Sequence, residues 1–137
     1  MYKYEYIGCF FDKDELFQKV AHIRKNPLPN EKKTPHITFV YAPENVPEEL
    51  FGQAVSVTVT GYGNDGHNEG LQVTLTGNHP TIKEMIAKIP VPHITLAVSD
   101  DGQAVNTRYI PFFPIKPFQI VGYFGGHQEE STKQEEI

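Results

Sequence analysis

Apolar positions along this chain follow two periods in turn, and the switch between them predicts the elements. Tyr2 to Phe11 (YKYEYIGCFF) reads as a first strand. Asp12 is placed to cap a helix, with Glu15 three residues later. Leu16, Val20 and Ile23 then recur at i, i+4 and i+7, which predicts one apolar stripe running to about Arg24 or Lys25. Asn26 to Thr34 carries Pro27, Pro29, Lys32 and Lys33 and reads as a loop, leading into a short β-branched strand from His36 to Tyr41. A Pro- and Glu-rich connection follows, with one helical turn at Glu48–Phe51. Ala54 to Tyr62 alternates apolar residues with Ser and Thr. It pairs across a turn at 63–70 with Leu71 to Thr76, in a hairpin whose loop is longer than a tight turn. Pro80 and the Thr81…Glu84 pair open a second helix, striped by Ile82, Met85, Ile86 and Ile89 and stopped by Pro90. His93 to Ser99 is the next strand, and Asp100–Gly102 a polar turn. Pro111 to Pro117 then leads to a last strand, Phe118 to Phe124.

The order is strand, helix, His-strand, strand, and then the same again, with the two His-strands offset by 57 residues. Two copies of one supersecondary unit predict an α+β fold, antiparallel sheets with helices packed on one side. An approximate two-fold axis would bring the two His-strands face to face. The predicted organisation is one domain over residues 1–127, built from repeat units 1–62 and 63–127, and a disordered acidic tail at 128–137.

Composition narrows the partners. The chain has 137 residues and a net charge of -5, of which the tail accounts for -3. A body near -2 lacks the basic field of proteins that grip long nucleic acid, so a small phosphate ligand fits better than a DNA duplex. No apolar run approaches the ~18 residues a membrane helix needs, and the N-terminus shows no secretory core. The lone cysteine, Cys9, sits in an apolar strand, where a buried inert thiol is expected. A reducing, cytoplasmic location is the expectation.

The chemistry lies in a repeated tetrapeptide. Pro35-His36-Ile37-Thr38 returns as Pro92-His93-Ile94-Thr95. On a strand the His and Thr of each copy share a face, and the Ile between them points into the body. Two imidazoles that titrate near neutrality can act as base and acid on either side of a phosphate ester. Two threonine hydroxyls can hold its non-bridging oxygens. That chemistry needs no metal or other cofactor. His22, His67, His79 and His127 remain, and Asp65 could join them in a metal site, but no spacing matches the i, i+4 pair of a zinc helix.

The repeated H-I-T followed by apolar residues resembles the signature of the two-histidine (2H) phosphoesterases, a group that includes RNA 2′,3′-cyclic phosphodiesterases, also called 2′-5′ RNA ligases. The resemblance covers about Tyr4 to Phe124. It implies a bilobal fold, two antiparallel sheets with flanking helices duplicated around a central cleft. It also implies metal-independent chemistry on a cyclic or 2′-5′ phosphodiester in a nucleotide or short RNA end. Carried over by position, His36 and His93 are the catalytic acid–base pair, and Thr38 and Thr95 bind the phosphate. Tyr6 falls where such proteins often carry a ring close to the substrate. The chain is short and acidic for that group and holds only two arginines, Arg24 and Arg108, so a long RNA is a poor match. A nucleotide-binding module without turnover and a metal-dependent hydrolase are the competing readings.

Strand parity decides several neighbours. It sets Tyr41 on the face opposite His36, in the core or on a far surface, and puts Ser99 on the face of His93, where it reads as an exposed strand-end serine. Lys32 and Lys33 read as solvated loop lysines. Gly122, Gly125 and Gly126 read as a bulge or turn at a strand end.

Overall fold

The computed structural model describes residues 3–128, so all but the first residue of the predicted tail lies outside the described residues. Among the described residues seven strands form: β1 (Tyr6–Phe10), β2 (Asn30–Glu31), β3 (His36–Tyr41), β4 (Ala54–Asn64), β5 (Asn68–Gly77), β6 (His93–Val98) and β7 (Phe113–His127). Two helices, α1 (Lys13–Val20) and α2 (Pro80–Ala87), precede β2 and β6. Every strand pairing is antiparallel, and the fold is mixed α+β. The expectation of two sheets needs correction. Hydrogen bonding joins all seven strands in one order, β2-β6-β5-β4-β7-β1-β3, because β4 and β7 pair with each other where two sheets would separate.

The predicted periods account for the core. Val55, Val57 and Val59 of β4 are fully buried while Ala54 and Ser56 face out. Leu16 and Val20 of α1 and Ile82 of α2 join the same cluster, with Ile7, Ile37, Ile94 and Leu96 from the strands that flank them. Each of those aliphatic side chains gains about 1.5–3 kcal/mol from leaving water. The Asp12 carboxylate accepts from the Glu15 N–H at 2.9 Å, and His79 caps α2 by accepting from the Thr81 N–H at 3.1 Å. Among the described residues no helix is long and apolar enough to cross a membrane.

Four boundaries differ from expectation. The first helix ends at Val20 rather than near Lys25, because Arg24 is drawn into a buried ion pair. The loop before His36 contains β2, which pairs with β6. The β4–β5 hairpin is tighter than expected, with pairing carried to Asn64 and Glu69. The fifteen-residue β7 takes up most of the Pro-rich passage, with Pro114 and Pro117 where its ladder with β4 shifts register near Thr60, and a 3₁₀ turn at Ala104–Tyr109 precedes it.

The two His-strands share an irregularity that the sequence pattern does not reveal. Along β1 and β3 the pairing steps from Gly8↔Thr38 to Ile7↔Val40, leaving Phe39 as an extra residue. Along β5 and β6 it steps from Gly70↔Thr95 to Glu69↔Ala97, leaving Leu96 extra. Both are β-bulges placed one residue after the motif threonine. A glycine faces the threonine in each case. A Cβ on Gly8 would lie 2.0 Å from the Ile37 carbonyl oxygen, and one on Gly70 2.7 Å from that of Ile94.

The sheet curls until β3 comes close to β6. β3 lies at one end of the hydrogen-bonding order and β6 next to the other, yet their Cα atoms approach to within 8 Å. The faces that carry the two motifs therefore look into common space.

Candidate active site

That space is an open cleft of about 820 Å³, and His36, Thr38, His93, Thr95 and Tyr6 all line it. The structure thus brings together every site residue the sequence singled out.

Each imidazole is oriented by the same local device. His36 Nδ1 lies 3.0 Å from the carbonyl oxygen of Thr34, and His93 Nδ1 lies 2.8 Å from that of Val91. A carbonyl only accepts, so Nδ1 carries the proton and the lone pair resides on Nε2. The residue between, Pro35 or Pro92, has no N–H and restricts its predecessor to extended backbone. The repeated Pro-His is therefore a tautomer-setting unit as well as a strand opening.

Burial pushes the His36 imidazole down to about 4, with the charges of Lys32, His127 and His93 acting in the same direction against the Thr34 carbonyl. Burial also lowers His93, assisted by Arg108 and opposed by the Val91 carbonyl. Both rings are consequently neutral near pH 7 in the free protein. A bound anion would restore the charged form of one of them.

The threonines differ. Thr95 is 9% exposed, 2.8 Å from the Thr107 hydroxyl and 3.3 Å from the Ala104 carbonyl oxygen. Thr38 makes no side-chain hydrogen bond among the described residues and is free to meet a ligand.

Tyr6 stacks on His36 at 4.4 Å between ring centroids and on His127 at 4.9 Å. Burial raises its phenol to about 12, with Glu5 and Tyr41 contributing, so the hydroxyl stays protonated. The parity reading of Tyr41 is overturned. The bulge at Phe39 returns Tyr41 to the cleft side, where it pairs with Tyr6 and packs edge-on at 5.9 Å. The matching bulge at Leu96 brings Val98 to the cleft in place of Ser99, whose hydroxyl bonds Asp101.

Other residues of the cleft escaped the sequence reading. His127 lies directly across the β1–β7 ladder from Tyr6, a neighbour that only the register reveals. Lys32, Lys33, Lys88 and Arg108 line the cleft against the carboxylates of Glu5 and Glu31, making it cationic within an acidic protein. Lys32 and Lys33, read as solvated loop lysines, line the cleft, Lys33 exposed as expected and Lys32 half-buried where its N–H bonds the Leu96 carbonyl at 2.9 Å and seats the loop against β6.

That loop is anchored by a buried carboxylate. Glu69, 0% exposed, accepts two bonds of 2.7 Å from the Arg24 guanidinium, one of 2.7 Å from Tyr62 and one of 3.1 Å from the Leu28 N–H. Burial alone would raise its affinity for a proton, but these donors outweigh it and hold the carboxyl below its ordinary range. Arg24 also binds Glu31 of β2 at 2.8 Å. The chain from the first unit is thereby fastened to the second, and the Thr34 carbonyl that orients His36 follows three residues later. Cys9 is fully buried with its thiol pushed up to about 12 by burial, the inert cysteine that was expected. Gly122 packs against Cys9 and Phe11, where a Cβ would lie 2.3 Å from the sulfur, so close packing and not a turn requires it.

No protein-family model matches this chain, and no curated protein matches it in sequence.

Proposed function

We propose that this protein is a metal-independent phosphoesterase of the two-histidine type. It hydrolyses, or reversibly forms, a cyclic phosphate or 2′-5′ phosphodiester in a nucleotide or short RNA end. The observation that carries the reading is the matched pair of imidazoles. Each donates Nδ1–H to the carbonyl two residues back, and both line one cationic cleft with a threonine from the same motif.

In hydrolysis the neutral imidazole takes a proton from water at Nε2 as the water oxygen bonds phosphorus. The other, charged by the approach of the anionic phosphate, protonates the ribose oxygen as its bond to phosphorus breaks. The Thr38 and Thr95 hydroxyls donate to the non-bridging oxygens, where charge grows. The protons have exchanged places at the end, and the reverse reaction uses the same groups in swapped roles. Tyr6, Tyr41 and His127 offer aromatic surface beside His36 for a base or sugar.

The bilobal, duplicated organisation belongs to the same proposal. Exchanging β1, β3 and β4 for β5, β6 and β7 leaves the strand order β3-β1-β7-β4-β5-β6 unchanged when read from the other end, which supports a two-fold relation between the halves. The repeated bulges and facing glycines support it further.

The test is a product screen by mass spectrometry against nucleoside 2′,3′-cyclic phosphates, 2′-5′ oligoadenylates and cyclic dinucleotides. His36→Ala and His93→Ala are each expected to lower turnover by about 10²–10⁴. Undiminished activity in both variants would remove the assignment. The second reading, nucleotide binding without turnover, draws on the neutrality of both rings in the free protein. Calorimetric binding with no product over hours would select it.

A further inference from the structure

We propose that Thr107 and Asn68 are positioning residues that aim the Thr95 hydroxyl at a phosphate oxygen through a buried relay, an inference that rests on the reading above. Neither lines the cleft, and both are enclosed: Thr107 is 0% exposed and Asn68 2%. Asn68 opens β5, and Thr107 lies in the 3₁₀ turn that packs over β5 and β6.

The donors count out in one direction. The Asn68 amide nitrogen donates to the Gln103 carbonyl at 2.6 Å and to the Thr107 hydroxyl oxygen at 2.9 Å. One lone pair of Thr107 is thereby filled. The Thr95 and Thr107 hydroxyls lie 2.8 Å apart, and because Thr95 also reaches the Ala104 carbonyl, both protons find an acceptor only when Thr107 donates to Thr95. The Thr95 proton is then left for the Ala104 carbonyl at 3.3 Å, a long bond on the cleft wall. An incoming oxyanion accepts that proton at shorter range and with greater strength. Each bond in such a chain polarises the next.

The first half of the molecule has no counterpart. In the paired registers the position matching Asn68 is Tyr6, and Thr38 has no side-chain partner among the described residues. Two halves built on the same bulge have thus diverged. One wall supplies an oriented hydroxyl and the other an aromatic stack.

The experiment compares wild type, Thr107→Val and Thr107→Ser. It measures turnover of adenosine 2′,3′-cyclic phosphate and calorimetric binding of adenosine 2′-monophosphate. The valine keeps the shape and removes the hydroxyl; the serine keeps the hydroxyl. Thr107→Val is expected to lower kcat about 10-fold with little change in KM, and Thr107→Ser to restore it. The loss should shrink for the cyclic phosphorothioate diastereomer whose sulfur replaces the oxygen Thr95 meets, a selectivity that a merely structural role would not produce. Should the valine variant not fold, Thr107→Cys, with its weak donor, takes its place. Equal kcat in the valine and serine variants overturns the relay and leaves the phosphoesterase reading standing. If wild type shows no turnover, that reading falls, and weaker nucleotide binding by Thr107→Val than by Thr107→Ser still supports the relay while equal binding overturns it. A wild-type protein that neither binds nor cleaves these probes overturns both.

Discussion

Replacing His36 by Asn should make the protein less sensitive to acid, and the size of the effect follows from the burial of the ring. In the folded protein His36 takes up a proton only near pH 4, whereas in the unfolded chain it does so near its ordinary 6.5. The folded value is the lower one. Between those values the unfolded state therefore binds more protons, and stability falls as pH falls through that window. Above about pH 7 the ring is neutral in both states and the penalty is absent. Between about pH 7.5 and pH 5 it amounts to about 2 kcal/mol. Asparagine can still donate to the Thr34 carbonyl but does not titrate. Urea unfolding of both proteins at the two pH values measures the difference directly. Carboxylates and histidines distant from the cleft lose or gain in both proteins alike, so the mutant–wild-type gap reports His36 together with its coupling to His93 and His127. The gap should move by about 2 kcal/mol in the mutant's favour on acidification. A gap that stays constant with pH would refute the claim that His36 is held neutral by burial.

Further outcomes follow from other parts of the structure. The proposed mechanism needs one neutral and one charged ring, and the free-protein values lie at about 4 for His36 and below 6.5 for His93. The profile of kcat/KM should therefore peak on the acid side of 6.5 and decline as pH rises, whichever ring is the base, and a maximum near pH 8 would contradict it. Glu69→Gln should lower stability by about 3 kcal/mol in urea denaturation, because it leaves Arg24 facing a neutral amide in a buried site; no loss would show the pair to be dispensable. Gly8→Ala should lower the melting temperature by the equivalent of about 2 kcal/mol or more, since its methyl would collide with the Ile37 carbonyl, and an unchanged melt would count against the bulge. Turnover should survive excess EDTA, because in the proposed mechanism protons and hydroxyls supply the chemistry; loss of activity restored by a divalent metal would favour the metal-dependent alternative.

The local pattern of this chain was enough to identify the two His-Thr pairs, both helix starts and the alternating strands, because each depends on neighbours within four residues. Asp12 caps through the Glu15 N–H, and Pro35 and Pro92 precede imidazoles bound to the carbonyls just behind them. Pairing across the sheet decided the rest. Tyr41 reached the cleft, and Ser99 left the face of His93, because a bulge shifts side-chain parity, and a bulge is a property of two strands in register. His127 became a neighbour of Tyr6 only through the β1–β7 ladder, and Thr107 a neighbour of Thr95 only because the 3₁₀ turn folds back over β6. One sheet formed where two were expected because β4 and β7, both alternating strands, satisfied their edges against each other. Residue identity sets what each side chain can donate, accept or bury within its own segment. Which groups meet across the cleft depends on how the strand edges pair, and that is resolved only when the whole sheet has formed and curled.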